Sequence, residues 1–154
     1  MTIKLTIFIC ELQTNIMFIT KKDWEASVKC IKLFIIFQYR YGDRIPAVFF
    51  HPQSKRLHIC SAVNDNVNHC FSDTKDLTTR RYTRVRISQL RDRRGQYVYN
   101  IYINGVVRHT TVNTRPTTFY NVKYYLGDPW HSAARARVRN VEIKISSSGK
   151  EILL

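Results

Sequence analysis

The stretch "YVYNIYINGVVRHTTVN", residues 97–113, decides the fold of this 154-residue chain. Its centre is Asn104-Gly105, and Asn-Gly between two extended segments is the strongest short sequence signal for a tight β-hairpin. The flanking segments, "YVYNIYI" and "VVRHTTV", are rich in β-branched and aromatic residues, which favour strands. The stretch therefore predicts two antiparallel strands joined by a two-residue turn.

Similar strand signals occur on both sides of this hairpin. They are "IPAVFFH", "RLHICSAV", "VNHCF", "YTRVRISQL", "FYNVKYYL" and a last strand from about residue 136 to 145. In "YTRVRISQL", residues 82–90, we expect Val85 and Ile87 to face inward and Arg84, Arg86 and Ser88 to face outward. No segment longer than ten residues shows convincing helical periodicity. The sequence predicts an all-β, antiparallel fold, a sandwich or a barrel.

The last strand changes phase along its length. Its apolar residues form two sets of opposite parity, Ala134, Ala136 and Val138, then Val141, Ile143 and Ile145. A regular strand cannot direct both sets into one core, because its side chains alternate with a period of two. We predict a β-bulge near Arg139-Asn140, since one extra residue restores the phase. Arg135 and Arg137 then face outward.

The charge balance points to polyanionic partners. The chain has 25 basic and 11 acidic side chains, a net charge of +14, which attracts nucleic acid, anionic lipid or sulfated glycan. If the arginine-bearing strands share a sheet, their outward side chains form one cationic face, and guanidinium groups match sulfate, phosphate and carboxylate. A solvated polar face is the alternative. The candidate ligand contacts are Arg84, Arg86, Arg91, Arg93, Arg94, Arg135 and Arg137.

A turn before the last strand supplies two further candidates. Asp128-Pro129-Trp130 is typical of an Asp cap followed by proline in the first position of a helical turn. Trp130 would fill the edge of the sandwich or, alternatively, stack on a sugar ring. His131 follows directly, and we include Trp130 and His131 among the candidate ligand contacts.

Five motifs, in order, carry a family resemblance. They are "YGDRIPAVFFHP", "LHICSAVNDNVNHCF", "YVYNIYINGVVRHTTVNTRP", "FYNVKYYLGDPW" and "RVRNVEIK". Together they resemble the concanavalin A-like lectin/glucanase jelly roll in its laminin-G-like branch, closest to secreted invertebrate proteins of unassigned role. The resemblance implies a jelly-roll sandwich over residues 23–146, an N-terminal extension of uncertain structure at 1–22 and a C-terminal tail at 147–154. It also implies an extracellular location.

The N-terminal part departs from the family pattern. The stretch "CIKLFIIFQYR", residues 30–40, lacks the glycine-rich turn of the family, so we expect an incomplete sheet with an unpaired apolar edge. The apolar core from Leu5 to Cys10 is shorter than the usual 7 to 15 residues, roughly, of a signal peptide, and Glu11 interrupts it. We therefore do not predict a signal peptide.

Catalysis is not predicted. Glycoside hydrolases of this fold place two carboxylates from one strand across the scissile bond, in a pattern close to Glu-x-Asp-x-x-Glu. The sequence has no such pattern, and its nearest acidic pair, Asp23 and Glu25, lies on the expected first strand. We predict a binding module rather than an enzyme.

The positions of cysteines and carboxylates suggest a disulfide, a zinc site as the alternative to it, and a separate calcium site. With a turn at "NDN", residues 64–66, Cys60 faces Cys70, which predicts a disulfide in an oxidising compartment. His58 lies next along the same face, so His58, Cys60 and Cys70 are an alternative zinc set without an evident fourth ligand. The resemblance also makes calcium possible as a cofactor, with candidate loop carboxylates at Asp43, Asp65 and Asp128.

The sequence thus favours a non-catalytic module that binds acidic or sulfated glycans through a basic sheet face. The first alternative is a protein–protein or self-assembly module that uses the apolar N-terminal region. The second is a nucleic-acid binder that uses the same basic face. Its stacking platform would have to come from Tyr97, Tyr99, Tyr102 and Tyr124, which we assign instead to the core or a sheet face.

Overall fold

The computed structural model describes residues 6–18, 32–38, 44–51, 54–120, 122–126, 136–147 and 150–153. All regular elements in these ranges are β-strands, and every strand pair is antiparallel. The prediction of an all-β, antiparallel fold is confirmed. Over the same residues, no helix has the length and apolar character needed to cross a membrane.

The strands in these ranges are numbered along the chain. They are β1 (Thr6–Phe18), β2 (Lys32–Gln38), β3 (Ala47–Phe50), β4 (Arg56–Val63), β5 (Asn66–Asp76), β6 (Thr83–Arg91), β7 (Tyr97–Ile103), β8 (Val106–Asn113), β9 (Phe119–Tyr120), β10 (Lys123–Leu126), β11 (Ala136–Ser147) and β12 (Lys150–Leu153).

The strands form two sheets that share one core. The seven-stranded sheet has the order β12-β11-β1-β6-β7-β8, with β9 also paired to β1, and the five-stranded sheet has the order β10-β2-β3-β4-β5. Both sheets bury β-branched and aliphatic side chains in a single cluster, as a sandwich does. The fully buried members include Ile16, Val85 and Ile101 from the larger sheet, and Leu57 and Ile59 from the smaller.

The chain ends of the described part belong to the larger sheet. β1, from the stretch predicted as an N-terminal extension (residues 1–22), lies between β11 and β6. β12, from the predicted C-terminal tail (residues 147–154), pairs with β11. A register shift between Ile9 and Glu11 breaks the alternation of β1. A half-buried strand normally shows an uninterrupted alternation of apolar and polar residues. Because this alternation is interrupted in β1, the sequence pattern did not predict the strand.

β2 is an interior strand of the smaller sheet. It pairs with β3 on one side and with β10 on the other. The expectation of an unpaired apolar edge at residues 30–40 is therefore wrong for the described residues 32–38. The missing glycine turn did not prevent pairing, because strands distant in sequence supply both neighbours of β2.

Two hairpins turn through two consecutive left-handed residues. In the β7–β8 hairpin, Asn104 and Gly105 have φ of 52° and 82°, so the predicted tight turn is confirmed. In the β4–β5 hairpin, Asn64 and Asp65 have φ of 54° and 61°, which makes the turn two residues long rather than three. A register shift between Ser61 and Val63 compensates, and Cys60 still faces Cys70.

The predicted bulge in β11 is confirmed. Arg139 pairs with Asn15 while Glu142 pairs with Gln13, so β11 has one residue more than β1 between these pairs. Asn140 has φ of 53° at this point. Ala136 and Val138 before the bulge and Val141 and Ile143 after it all pack against the one core, while Arg137 and Arg139 are exposed.

The edge strands β5 and β8 belong to different sheets and are joined by side chains. We call this contact the β5–β8 seam. It consists of the pairs His69–His109 and Asp73–Arg108 between the two strands, and of Asn64–Asn113, in which Asn64 belongs to the turn before β5. The Arg108 guanidinium donates to Asp73 Oδ1 at 2.6 Å, and the two histidine Nε2 atoms lie 2.9 Å apart. The backbone N–H of Asn64 donates to Asn113 Oδ1 at 2.9 Å. The seam fixes one edge of the larger sheet to one edge of the smaller.

Candidate functional site

Arginines on two strands form the main candidate site. β6 and β11 lie on either side of β1, and both Arg84 and Arg139 are register partners of Asn15. Directly paired residues of neighbouring strands project to the same side of a sheet, so both arginines share its outer side, about 10 Å apart across two strand spacings. We call Arg84, Arg86, Arg137 and Arg139 the arginine face.

The alternation of β6 directs its two arginines outward. Val85 and Ile87 are buried in the core, Arg84 is exposed and Arg86 is half-buried, as predicted. Ser88 has the same parity as these arginines, but its side chain is only 3% exposed. The cationic part of the strand therefore ends at Arg86 on this side of the sheet.

Tyrosine rings support two of the four guanidinium groups. The guanidinium carbon of Arg139 lies 3.6 Å from the ring centroid of Tyr82, and that of Arg86 lies 5.0 Å from the ring centroid of Tyr102. Tyr102 is the direct cross-strand neighbour of Arg86. Cation–π contacts at these distances are favourable and limit the freedom of the arginine side chains. The face is thus partly preorganised.

Acidic groups on this side of the sheet are few among the described residues. The Glu142 carboxylate lies 3.7 Å from the Lys144 ammonium, so these two charges largely compensate each other. The register also places Glu11 beside Lys144. Among the described residues, the basic side chains on the side of the sheet that holds the four arginines outnumber the acidic ones.

Arg91, Arg93 and Arg94 form a separate cluster. They lie at the end of β6 and in the following turn, and Arg91 is about 23 Å along an extended strand from Arg84. Asp92 Oδ1 accepts hydrogen bonds from the backbone N–H groups of Arg94 and Gln96 at 2.8 and 2.9 Å, which fixes the turn. The structure does not bring these three arginines onto the arginine face.

Several candidate residues lie outside the described part of the chain. They are Trp130, His131 and Arg135 among the ligand contacts, and Asp43 and Asp128 among the calcium ligands. Conversely, Arg139 was not among the sequence candidates although it belongs to the face. The bulge made its direction ambiguous, because a residue beside a phase change can point to either side.

The remaining calcium candidate, Asp65, is engaged by a cation. Its carboxylate accepts a hydrogen bond from Arg115 at 2.8 Å. The neighbouring Asn64 Oδ1 accepts hydrogen bonds from the backbone N–H and the hydroxyl of Thr114. Calcium needs several converging oxygens that are free to bind it. The described part of this loop uses its oxygens to fix the turn instead.

A small cavity is lined by residues of both sheets and of neighbouring loops. Its volume is about 30 Å³, and its polar lining includes Ser61, Ser88 and the hydroxyl-bearing Tyr99. Such a volume holds about two water molecules and is too small for a sugar ring. Burial raises the pKa of the Tyr99 hydroxyl, which keeps it protonated. The cavity is therefore too small to serve as a glycan pocket.

The outer side of the smaller sheet carries a different group of residues. Ala47, Phe49 and Cys60 are buried there in a second apolar cluster against which Tyr125 packs. Cys60 and Cys70 are joined by a disulfide. His58 lies beside it, and its pKa is lowered by burial and, to a lesser degree, by the nearby charges of His51 and Arg44.

Comparison with known proteins gives no family for this chain: no protein-family model matches it, and a search of curated proteins finds no match.

Proposed function

We propose that this protein is a non-catalytic, extracellular binding module with a lectin-like jelly-roll sandwich, and that it binds acidic or sulfated glycans through the arginine face. The observation that carries the proposal is the placement of Arg84, Arg86, Arg137 and Arg139 on one side of one sheet. The disulfide between Cys60 and Cys70 supports an oxidising compartment.

The chemistry of the face suits sulfate and carboxylate groups. A guanidinium group is planar, always charged and able to donate two parallel hydrogen bonds to such an anion. Arg86 and Arg139 are held on tyrosine rings, which reduces the entropy lost on binding. Arginines on both sides of β1 would contact several anionic groups of one chain. Salt should weaken this binding steeply, because exposed charges are screened.

The two tyrosines of the face favour a glycan over a nucleic acid. Proteins that bind single-stranded nucleic acid stack bases on exposed aromatic rings. Tyr82 and Tyr102 are half-buried, and each has a guanidinium group over its ring. They support the arginines and do not offer a free platform for bases.

A matched pair of double variants tests the proposal. Arg84→Gln with Arg137→Gln removes two charges from the face, and Arg93→Gln with Arg94→Gln removes two charges from the separate turn. We expect the first variant to bind a heparin-type oligosaccharide about tenfold more weakly, and the second to bind within about twofold of the unmodified protein. Calorimetry at physiological salt, with and without competing DNA duplex, measures this.

Three outcomes would contradict the proposal. Equal losses in both variants would show that only net charge matters. Displacement of the oligosaccharide by DNA at equal charge concentration would favour the nucleic-acid function. No binding to either ligand would favour a protein–protein interaction or self-assembly module. Sedimentation of the protein alone would then distinguish self-assembly from binding to another protein.

A further inference from the structure

Three metal-binding atoms meet on the outer side of the smaller sheet. They are Nε2 or Nδ1 of His58 and the Sγ atoms of Cys60 and Cys70, all within 4.8 Å of one another. The strand geometry explains this. His58 and Cys60 are two residues apart on β4 and project to the same side, and Cys70 is the direct partner of Cys60 on β5.

The His58 ring is already oriented towards the sulfur atoms. Its Nδ1 is 2.8 Å from the Ser72 hydroxyl oxygen, and Ser72 is its partner on β5. Its Nε2 is 3.3 Å from Cys60 Sγ. Two ligands of a tetrahedral zinc ion, with bonds of about 2.0 and 2.3 Å, lie about 3.5 Å apart. A hydrogen bond to the second ring nitrogen is the usual support of a metal-binding histidine.

The surroundings allow an ion to enter and to complete its coordination. Cys60 is fully buried, His58 is half-buried and Cys70 is exposed, so the cluster opens to solvent on the Cys70 side. The His51 ring centroid is 6.0 Å from that of His58. A fourth position on the ion would be taken by water or, after a small shift, by His51.

We propose that this cluster is a redox-controlled zinc site, in which His58, Cys60 and Cys70 bind one zinc ion once the disulfide has been reduced. A dithiol reductant supplies two electrons and two protons, the S–S bond breaks, and two thiols form while the reductant becomes a disulfide. Binding of Zn²⁺ to two thiolates and a neutral imidazole then releases the two thiol protons. The oxidised form is a covalent cross-link between β4 and β5, and the reduced form replaces it with a metal cross-link.

Cobalt titration of the full chain tests the site. After reduction by a dithiol and its removal without oxygen, we expect one equivalent of Co²⁺ to give thiolate charge-transfer absorption and the strong visible bands of tetrahedral cobalt. Zinc should displace it. The oxidised protein should give neither signal. His58→Ala and Cys70→Ser should weaken Co²⁺ binding at least tenfold, and Ser72→Ala should weaken it about tenfold. His109→Gln, in the seam, is the control and should bind normally.

A folding measurement keeps the proposal testable if reduction loosens the hairpin. Zinc should then raise the melting temperature of the reduced protein, followed by circular dichroism, but not that of reduced His58→Ala. Reduced protein that binds no Co²⁺ and gains no stability from zinc would overturn the proposal. Unchanged Co²⁺ affinity in His58→Ala would also overturn it, because the thiols alone would then be the ligands.

Discussion

The β5–β8 seam and the arginine face both depend on arginine side chains, but burial gives these arginines different roles. In the seam, Arg108 contacts Asp73, whose side chain is only 3% exposed, so the pair is shielded from water and salt. On the face, Arg84 and Arg137 are exposed. A shielded ion pair is costly to break, whereas an exposed arginine contributes little to stability. Residue type alone therefore does not separate structural from binding arginines.

We expect the largest loss of stability when the Asp73–Arg108 ion pair of the seam is broken. Asp73→Asn should lower the free energy of unfolding by about 3 kcal/mol, because it leaves the Arg108 charge in a partly buried position without its anion. Asp76→Asn on the same strand is the control, since Asp76 is half-exposed and 4.0 Å from Lys55. We expect it to cost less than about 1 kcal/mol. Urea denaturation measures both, and equal losses would remove the distinction between seam and surface.

Removal of the disulfide between Cys60 and Cys70 should have the second largest effect on stability. Cys70→Ser should lower the free energy of unfolding by about 2 to 3 kcal/mol, because the cross-link closes a loop over a sequence separation of 10. Cys70 is exposed, so the substitution itself creates no cavity. A dithiol reductant should destabilise the unmodified protein by a similar amount in the presence of a chelator. The variant should not respond to the reductant, and a response would point to another reducible group.

The seam should also weaken in acid. The pKa of His109 is lowered from its ordinary value of 6.5, first by burial and second by the neighbouring charge of His69. Below pH 6.5 the unfolded chain takes up the proton more readily than the folded one, so the free energy of unfolding falls until the pH passes the folded pKa. Above pH 6.5 the full contribution of neutral His109 to the free energy of unfolding is present.

His109→Gln isolates this contribution. Unfolding titrations at pH 7.5 and pH 5 should show a smaller acid loss in the variant than in the unmodified protein, since the variant loses the protonation of His109 and its interaction with His69. His69, Phe71 and Tyr99 surround the His109 ring. A variant with the same acid loss would show that the His69–His109 contact does not couple to folding.

The sequence predicted the local parts of both regions better than their assembly. Asn104-Gly105 and the parity change near Asn140 determine backbone geometry within a few residues, so the hairpin and the bulge could be predicted. The position of β1 between β11 and β6 depends on contacts between chain segments more than 60 residues apart, and its interrupted alternation concealed it.

The difference between local signals and long-range assembly also explains which features of the candidate site the sequence did not predict. Arg84 and Arg86 could be predicted as outward-facing from alternation alone, and Arg137 from alternation together with the predicted bulge. That Arg91, Arg93 and Arg94 lie apart from them follows from the length of β6, because these three arginines lie at its end and in the following turn. The seam pairs residues of two sheets, such as His69 with His109, and no local pattern indicates which edges of two sheets meet.

The smallest expected effect concerns the tyrosine support of the face. Tyr102→Leu keeps an apolar neighbour for Arg86 but removes the aromatic ring, so on the proposed function glycan affinity should fall about two- to fivefold, the size of an exposed cation–π contact. Tyr102→Phe keeps the ring and should bind normally. Neither should change the free energy of unfolding by more than about 1 kcal/mol, because Tyr102 is half-buried on the outer side of the sheet. Equal affinity of the Leu and Phe variants would mean that the ring fills space beside Arg86 without holding it for the ligand.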